Sequence, residues 1–281
     1  MFGRRARRSA ANAVFIGACT LATIVAVGVL AAILVSLLHE GLGGLNAAVF
    51  TKSTPAPGSD GGLANAIVGS IMLCGVAMVI AVVVGILAGT WLAEYGRESG
   101  YAKLVRFVND VLLSAPSILI GLFVWEVAVK PVGGFSGFAG SLALSLLAAP
   151  VVTRTTEDVL KLQARQLRES GIALGTPMWI TIRRILWKAA SGGIITGALL
   201  AFARISGETA PLLFTSLNNQ FFSWDMTKPM ANLPVVIFNY ALSAYDDWRR
   251  LAWVGALLIT AAVLAVNILV RVLAQEPRRS R

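Results

Sequence analysis

Three stretches of this chain run for the depth of a bilayer without a charged residue: Val14 to Leu38, Ala66 to Ala93 and Leu251 to Val270. A hydrocarbon core about 30 Å thick takes roughly 20 apolar residues as a helix, because each residue rises about 1.5 Å. Three further stretches are apolar with interruptions. Phe107 to Val129 carries Asn109, Asp110 and Glu126, Phe135 to Val152 is short and contains glycine, and Ala189 to Phe214 carries Arg204 and Glu208. Six spans follow, and the fold class is an all-α polytopic membrane protein. Composition agrees: 57% of the 281 residues are hydrophobic and 14% charged, where a soluble domain carries about a quarter charged.

An even number of spans puts both ends on one side. That side holds Arg4, Arg5, Arg7, Arg8, Arg97, Lys103, Arg106, Arg154, Lys161, Arg165, Arg168, Arg183, Arg184, Lys188, Arg271, Arg278, Arg279 and Arg281. The other side keeps Lys52, Lys130, Lys228, Arg249 and Arg250. Eighteen against five is a positive-inside bias, which predicts a multi-pass protein with cytoplasmic termini. The net charge of +10 therefore reports topology, and no nucleic-acid partner is expected. The first apolar run is too long for a signal-peptide core, and no convincing cleavage site follows it, so it reads as an uncleaved helix. Cys19 and Cys74 fall inside spans and offer neither a disulfide framework nor metal spacing.

These assignments divide the chain into a basic tail (1–13), a membrane domain (14–273) and a second tail (274–281), with loops at 39–65, 97–106 and 130–135. The longest cytoplasmic segment is 153–188 and the longest external one 216–250. Within the former, Glu157 to Leu174 reads as a helix with Val159, Leu160, Leu162 and Leu167 on one face. Gly175 suits a C′ position, Thr176 can cap the next helix, and Pro177 fits its first turn. Two short helices meeting at this turn form a knob. A solvated amphipathic loop explains it blandly, but its length and definite stop and start signals favour a docking element.

No catalytic constellation appears. There is no phosphate-binding G-x-x-x-x-G-K-S/T loop, and the single His39 stands alone at the end of a span. Neither a cofactor nor a metal is implied. The exception to the bland reading is Arg204 with Glu208, four residues apart in an apolar segment and so placed on one face of a continuous helix. Ionisable groups at that depth normally line a bundle interior or a water-filled path. Arginine's planar fork suits an oxyanion, and Ser206 and Thr209 add hydroxyls. Pro211 is expected to bend or end the helix. A purely structural ion pair is the alternative.

The knob resembles the signature loop of bacterial ABC-importer permeases, a Glu-Ala-Ala triplet followed at a fixed distance by Gly. Here it reads Glu169-Ser170-Gly171, with Ala173 and then Gly175 and Pro177. The stretch ARISGETAPLLFT from Ala203 to Thr215, with NNQFF and DMTKPMANLPVVIF downstream, is similar to the phosphate-permease family of such importers. That resemblance implies a heterodimer with a second phosphate permease, two ATP-binding subunits docked on the cytoplasmic loops, and an extracytoplasmic phosphate-binding protein that delivers inorganic phosphate. It places Glu169, Ser170, Gly171, Ala173, Gly175 and Pro177 in the coupling element. Arg204, Ser206, Glu208 and Thr209 fall near the phosphate path, in a bacterial plasma membrane. A permease for another oxyanion, such as molybdate or sulfate, and a gradient-driven carrier or channel remain as rivals.

Overall fold

A computed structural model describes residues 2–96 and 98–275. Arg97, Arg278, Arg279, Arg281 and most of the 274–281 tail lie outside the described residues. In chain order the helices are α1 (Phe2–Gly43), α2 (Ala47–Thr51), α3 (Ala64–Thr90), α4 (Gly100–Ser114), α5 (Ser117–Val124), α6 (Lys130–Val132), α7 (Gly137–Lys161), α8 (Arg165–Ala173), α9 (Met178–Thr181), α10 (Trp187–Ser206), α11 (Ala210–Thr215), α12 (Leu233–Ala241) and α13 (Asp246–Gln275). π-helical turns extend α3 over Trp91–Gly96, join α5 to α6 over Trp125–Val129, and join α9 to α10 over Ile182–Leu186.

Five of the resulting helices are long and apolar enough to cross a membrane: Arg7–Gly43, Ala64–Gly96, Gly137–Lys161, Met178–Ser206 and Asp246–Val272. The sixth expected span, 107–129, falls on a bent pair of helices and completes a count of six only if that pair crosses as one unit. Gly100–Ser114 and Ser117–Val132 meet at 108°. The break falls at Ala115 and Pro116, both in extended backbone with ψ of 135° and 131°. Pro116 lacks the N–H a helix needs, and its ring disfavours helical geometry at the residue before it.

The centre of the molecule is α3 against α7. Leu73, Ala77 and Ala81 on one side meet Leu144, Leu147, Ala148 and Val152 on the other, with Ala201, Ile205 and Leu212 closing the cluster. Small residues let the two backbones approach: a Cβ on Gly89 would lie 2.5 Å from the Thr153 carbonyl oxygen. By contrast α1 stands apart, its apolar residues nearly all exposed, and reaches the bundle through α13, where Gly41 meets Leu257.

Ser99, Ser136 and Asn232 each cap a helix, accepting a hydrogen bond from the backbone N–H three residues on. At the end opposite the basic segment, Asn65 gathers Thr54 and the Asn219 carbonyl, and α12 forms within the expected 216–250 loop.

Candidate substrate path and docking face

At the basic end of the bundle, the expected single helix over 157–174 is two. α7 stops at Lys161 and α8 begins at Arg165. Leu162, assigned to a common apolar face with Val159, Leu160 and Leu167, falls in the break and is 83% exposed. The chain ends freed by the break are taken up by Arg168, whose guanidinium donates to the carbonyls of Leu160 and Gln163, both at 2.8 Å.

The turn after α8 is a Schellman motif. Gly175 has φ of +72°, its N–H donates to the Ile172 carbonyl at 2.9 Å, and the Thr176 N–H donates to the Gly171 carbonyl at 3.1 Å. Gly175 thus occupies the C′ position anticipated for it. Thr176 does not cap the following helix. Pro177 is the residue at the N-cap of α9, with ψ of 144° and no side-chain cap. The backbone amide of Thr176 is spent on the Schellman bond, which draws the residue back toward α8 and leaves the capping position to Pro177.

Gly171 is buried against α9. Around it the knob turns large apolar side chains outward: Ile172, Leu174 and Trp179 are exposed, as are Glu169, Ser170 and Ala173. Exposed apolar residues clustered on a polar projection mark a contact surface. Beneath it lies a cleft of about 810 Å³ lined by Glu98, Arg154, Arg165, Glu169 and Met178 among others.

Two buried carboxylates stand under this knob. Glu94, on the π-helical end of α3, accepts from Arg168 Nε at 2.8 Å and Nη2 at 2.6 Å. Its hydrogen bonds hold the Arg168 guanidinium above its ordinary pKa. Glu157 of α7 accepts from Arg106 Nε at 2.7 Å and Lys161 Nζ at 2.5 Å, while Arg106 also donates to the Leu92 carbonyl at 3.1 Å. Sequence reasoning missed both pairs. The available signal was the presence of acidic residues at span ends on the side otherwise crowded with arginine.

In the fifth span, α10 ends at Ser206 and Gly207 leaves helical geometry, with φ of −105° and ψ of 3°. Arg204 and Glu208 therefore flank a helix end and do not share a continuous face. No ion pair joins them among the described residues. Both are half-buried, as is Thr209, whose carbonyl accepts from Leu212 at 3.1 Å to start α11. Pro211 fits the first turn of α11 and packs on α5, where a Cβ on Gly121 would lie 2.6 Å from Pro211 Cα. Ser206 is the least suited of the four to an anion. Its hydroxyl donates to the Phe202 carbonyl at 2.6 Å, and it lines an apolar cavity of about 540 Å³ with Ile71, Cys74 and Leu258. The break thus leaves Arg204 in the last turn of α10 and Glu208 and Thr209 on the irregular backbone between α10 and α11.

Residues 81–279 match the family described as binding-protein-dependent transport system inner membrane component. The chain is 51% identical over 271 residues to the phosphate transport system permease protein PstA of Haemophilus influenzae, covering 96% of each. It is 56% identical to PstA of Yersinia pestis over 86% of this chain and 82% of that one. It is 33% identical to the probable phosphate transport system permease protein PstA of Methanocaldococcus jannaschii, over 91% and 90%. Among solved structures it is similar in fold to a chain from the inward-facing MetNI methionine ABC transporter, with TM-score 0.59 and 19% identity, covering 74% of this chain and 94% of that one.

Proposed function

We propose, from the premise that this chain belongs to the family of binding-protein-dependent transport system inner membrane components, among its phosphate transport permeases, that it forms half of the membrane pathway of an ATP-driven importer of inorganic phosphate. The observation that carries this reading is identity above one half with a phosphate permease along 96% of both chains. The chain is a non-catalytic membrane subunit. ATP hydrolysis belongs to partner subunits, and the knob built from α8, the Gly175 turn and α9 is where they bear. Its exposed Ile172, Leu174 and Trp179 supply apolar contact, while Gly171 and Gly175 give the knob its shape.

The basic end of the bundle faces the cytoplasm, which sets both termini inside and the 216–250 loop outside. A second permease completes the path, and a soluble binding protein supplies phosphate at the outer face. Arg204, at the end of α10 with no ion pair among the described residues, offers its guanidinium fork to phosphate, with Thr209 and the irregular backbone at 207–209 next in the chain. Glu208 on the other side of the break supplies the repulsion that keeps residence short.

The test is uptake of radiolabelled phosphate in a strain lacking the gene, with the gene restored and with excess sulfate or molybdate present. Restored uptake that neither anion competes away is expected. Competition by sulfate or molybdate would reassign the substrate, and uptake independent of the ATP-binding subunits would point to a gradient-driven carrier.

A further inference from the structure

The docking knob has few apolar attachments to the membrane helices. Of the side chains on α8, Leu167 is partly buried in the cluster formed by Leu160, Ile182 and Leu186, while Gln166, Glu169, Ser170, Ile172 and Ala173 are exposed. Arg168 makes up for this with polar contacts. Its bonds to Glu94 Oε1 and Oε2 and to the Leu160 and Gln163 carbonyls occupy four of the five N–H donors an arginine has. One guanidinium therefore joins α8, the end of α7 and the end of α3. The pair forms part of the wall of the cleft beneath the knob, with the Glu94 side chain 1% exposed and that of Arg168 15%. Beyond it, α3 is locked to α7 by close backbone contact at Gly85 and Gly89.

We propose that Glu94 and Arg168 are positioning residues of the transport cycle, forming a strut that carries displacement of the docking helix α8 into α3. This rests on the reading of α8 as the docking element of an ATP-driven importer. A buried ion pair is a poor device for stability alone, since well-packed apolar residues do as well without the desolvation cost. Its geometry is what an apolar contact lacks: two parallel hydrogen bonds fix direction as well as distance. The neighbouring Glu157–Arg106 pair is similarly buried, and Glu157 takes its hydrogen bonds from Arg106 of α4 and Lys161 of α7, while Arg106 reaches the end of α3 at the Leu92 carbonyl. It serves as the internal comparison.

The experiment uses the assembled importer in lipid vesicles and reads ATP consumed per phosphate carried. In Glu94→Gln and Arg168→Lys this ratio should rise roughly tenfold, the usual scale of an allosteric coupling term. The charge-swapped double variant Glu94→Arg/Arg168→Glu should recover part of the loss, and Glu157→Gln should leave the ratio alone. An unchanged ratio in both single variants, or an equal rise in Glu157→Gln, overturns the strut. Should the single variants fail to assemble, the double replacement Glu94→Leu/Arg168→Met removes the buried charge altogether. A raised ratio there sustains the proposal, whereas a normal ratio or renewed failure to assemble makes the pair structural and ends it. A second readout needs no phosphate: the distance between spin labels at positions 166 and 83 should hold constant through ATP binding and hydrolysis. In Arg168→Lys it should vary. If the wild-type complex hydrolyses ATP without moving phosphate, the substrate reading fails while the distance measurement still decides the strut; a distance that varies in the wild type refutes it.

Discussion

Gly171 and Thr181 hold α8 and α9 together at a separation that only a glycine permits. A Cβ at position 171 would lie 2.5 Å from Thr181 Oγ1 and 2.6 Å from its Cγ2, and both residues are buried. The related permease motif carries alanine where this chain has Gly171, so the close crossing of α8 on α9 is tied to the particular pair present here.

Gly171→Ala is therefore expected to overpack the crossing, at a cost of about 1–3 kcal/mol. Limited proteolysis of the purified protein should cut within 153–188 faster than in the wild type. Adding Thr181→Ala, which removes Oγ1 and Cγ2, should restore most of the protection. Equal cutting rates in wild type and Gly171→Ala would show that the helices have room to spare.

Gly175→Val places a β-branched residue at φ of +72°, where a side chain costs about 1–2 kcal/mol and a branched one more. The Schellman bonds of Gly175 and Thr176 should open and the knob lose its shape. The variant should still insert in the membrane, but ATP-binding subunits should copurify poorly or cease to respond to loaded binding protein. Normal phosphate uptake would remove Gly175 from the coupling element.

Arg204→Lys keeps the charge and loses the fork, so phosphate uptake should fall roughly tenfold or more with protein abundance preserved. Because Glu208 is not paired with Arg204 in the structure, Glu208→Gln should leave abundance unchanged as well. A double replacement of both by apolar residues should fold and fail to transport. Full uptake in that double variant would relegate the two residues to packing.

Orientation is checked by single cysteines in a background lacking Cys19 and Cys74. Position 165 on α8 and position 227 in the 216–250 loop are both exposed. An impermeant maleimide applied to intact cells should label 227 and spare 165. Labelling of 165 from outside would invert the topology.

Several features of this chain are decided locally, and those were legible in the residues alone. Val14 to Leu38, Ala66 to Ala93 and Leu251 to Val270 need only length and the absence of charge to be spans, because lipid imposes the same demand on any helix wherever it sits in the bundle. Gly175 at C′ is likewise local, since the cost it avoids belongs to its own φ. Packing decided the rest. Arg204 and Glu208 share a face only if the helix between them continues, and it ends at Ser206, with α11 restarting against Gly121 of α5. The 108° bend between α4 and α5 at Ala115 and Pro116 escapes a reading of the sequence, where 107–129 passes as one span. Arg168 meets Glu94 across 74 residues of chain, and Arg106 meets Glu157 across 51. The spacing of charges along a sequence carries no information about such partners. They are selected when α3, α4, α7 and α8 converge at the basic end of the bundle, where a buried carboxylate without a cationic partner would have to take up a proton or destabilise the fold.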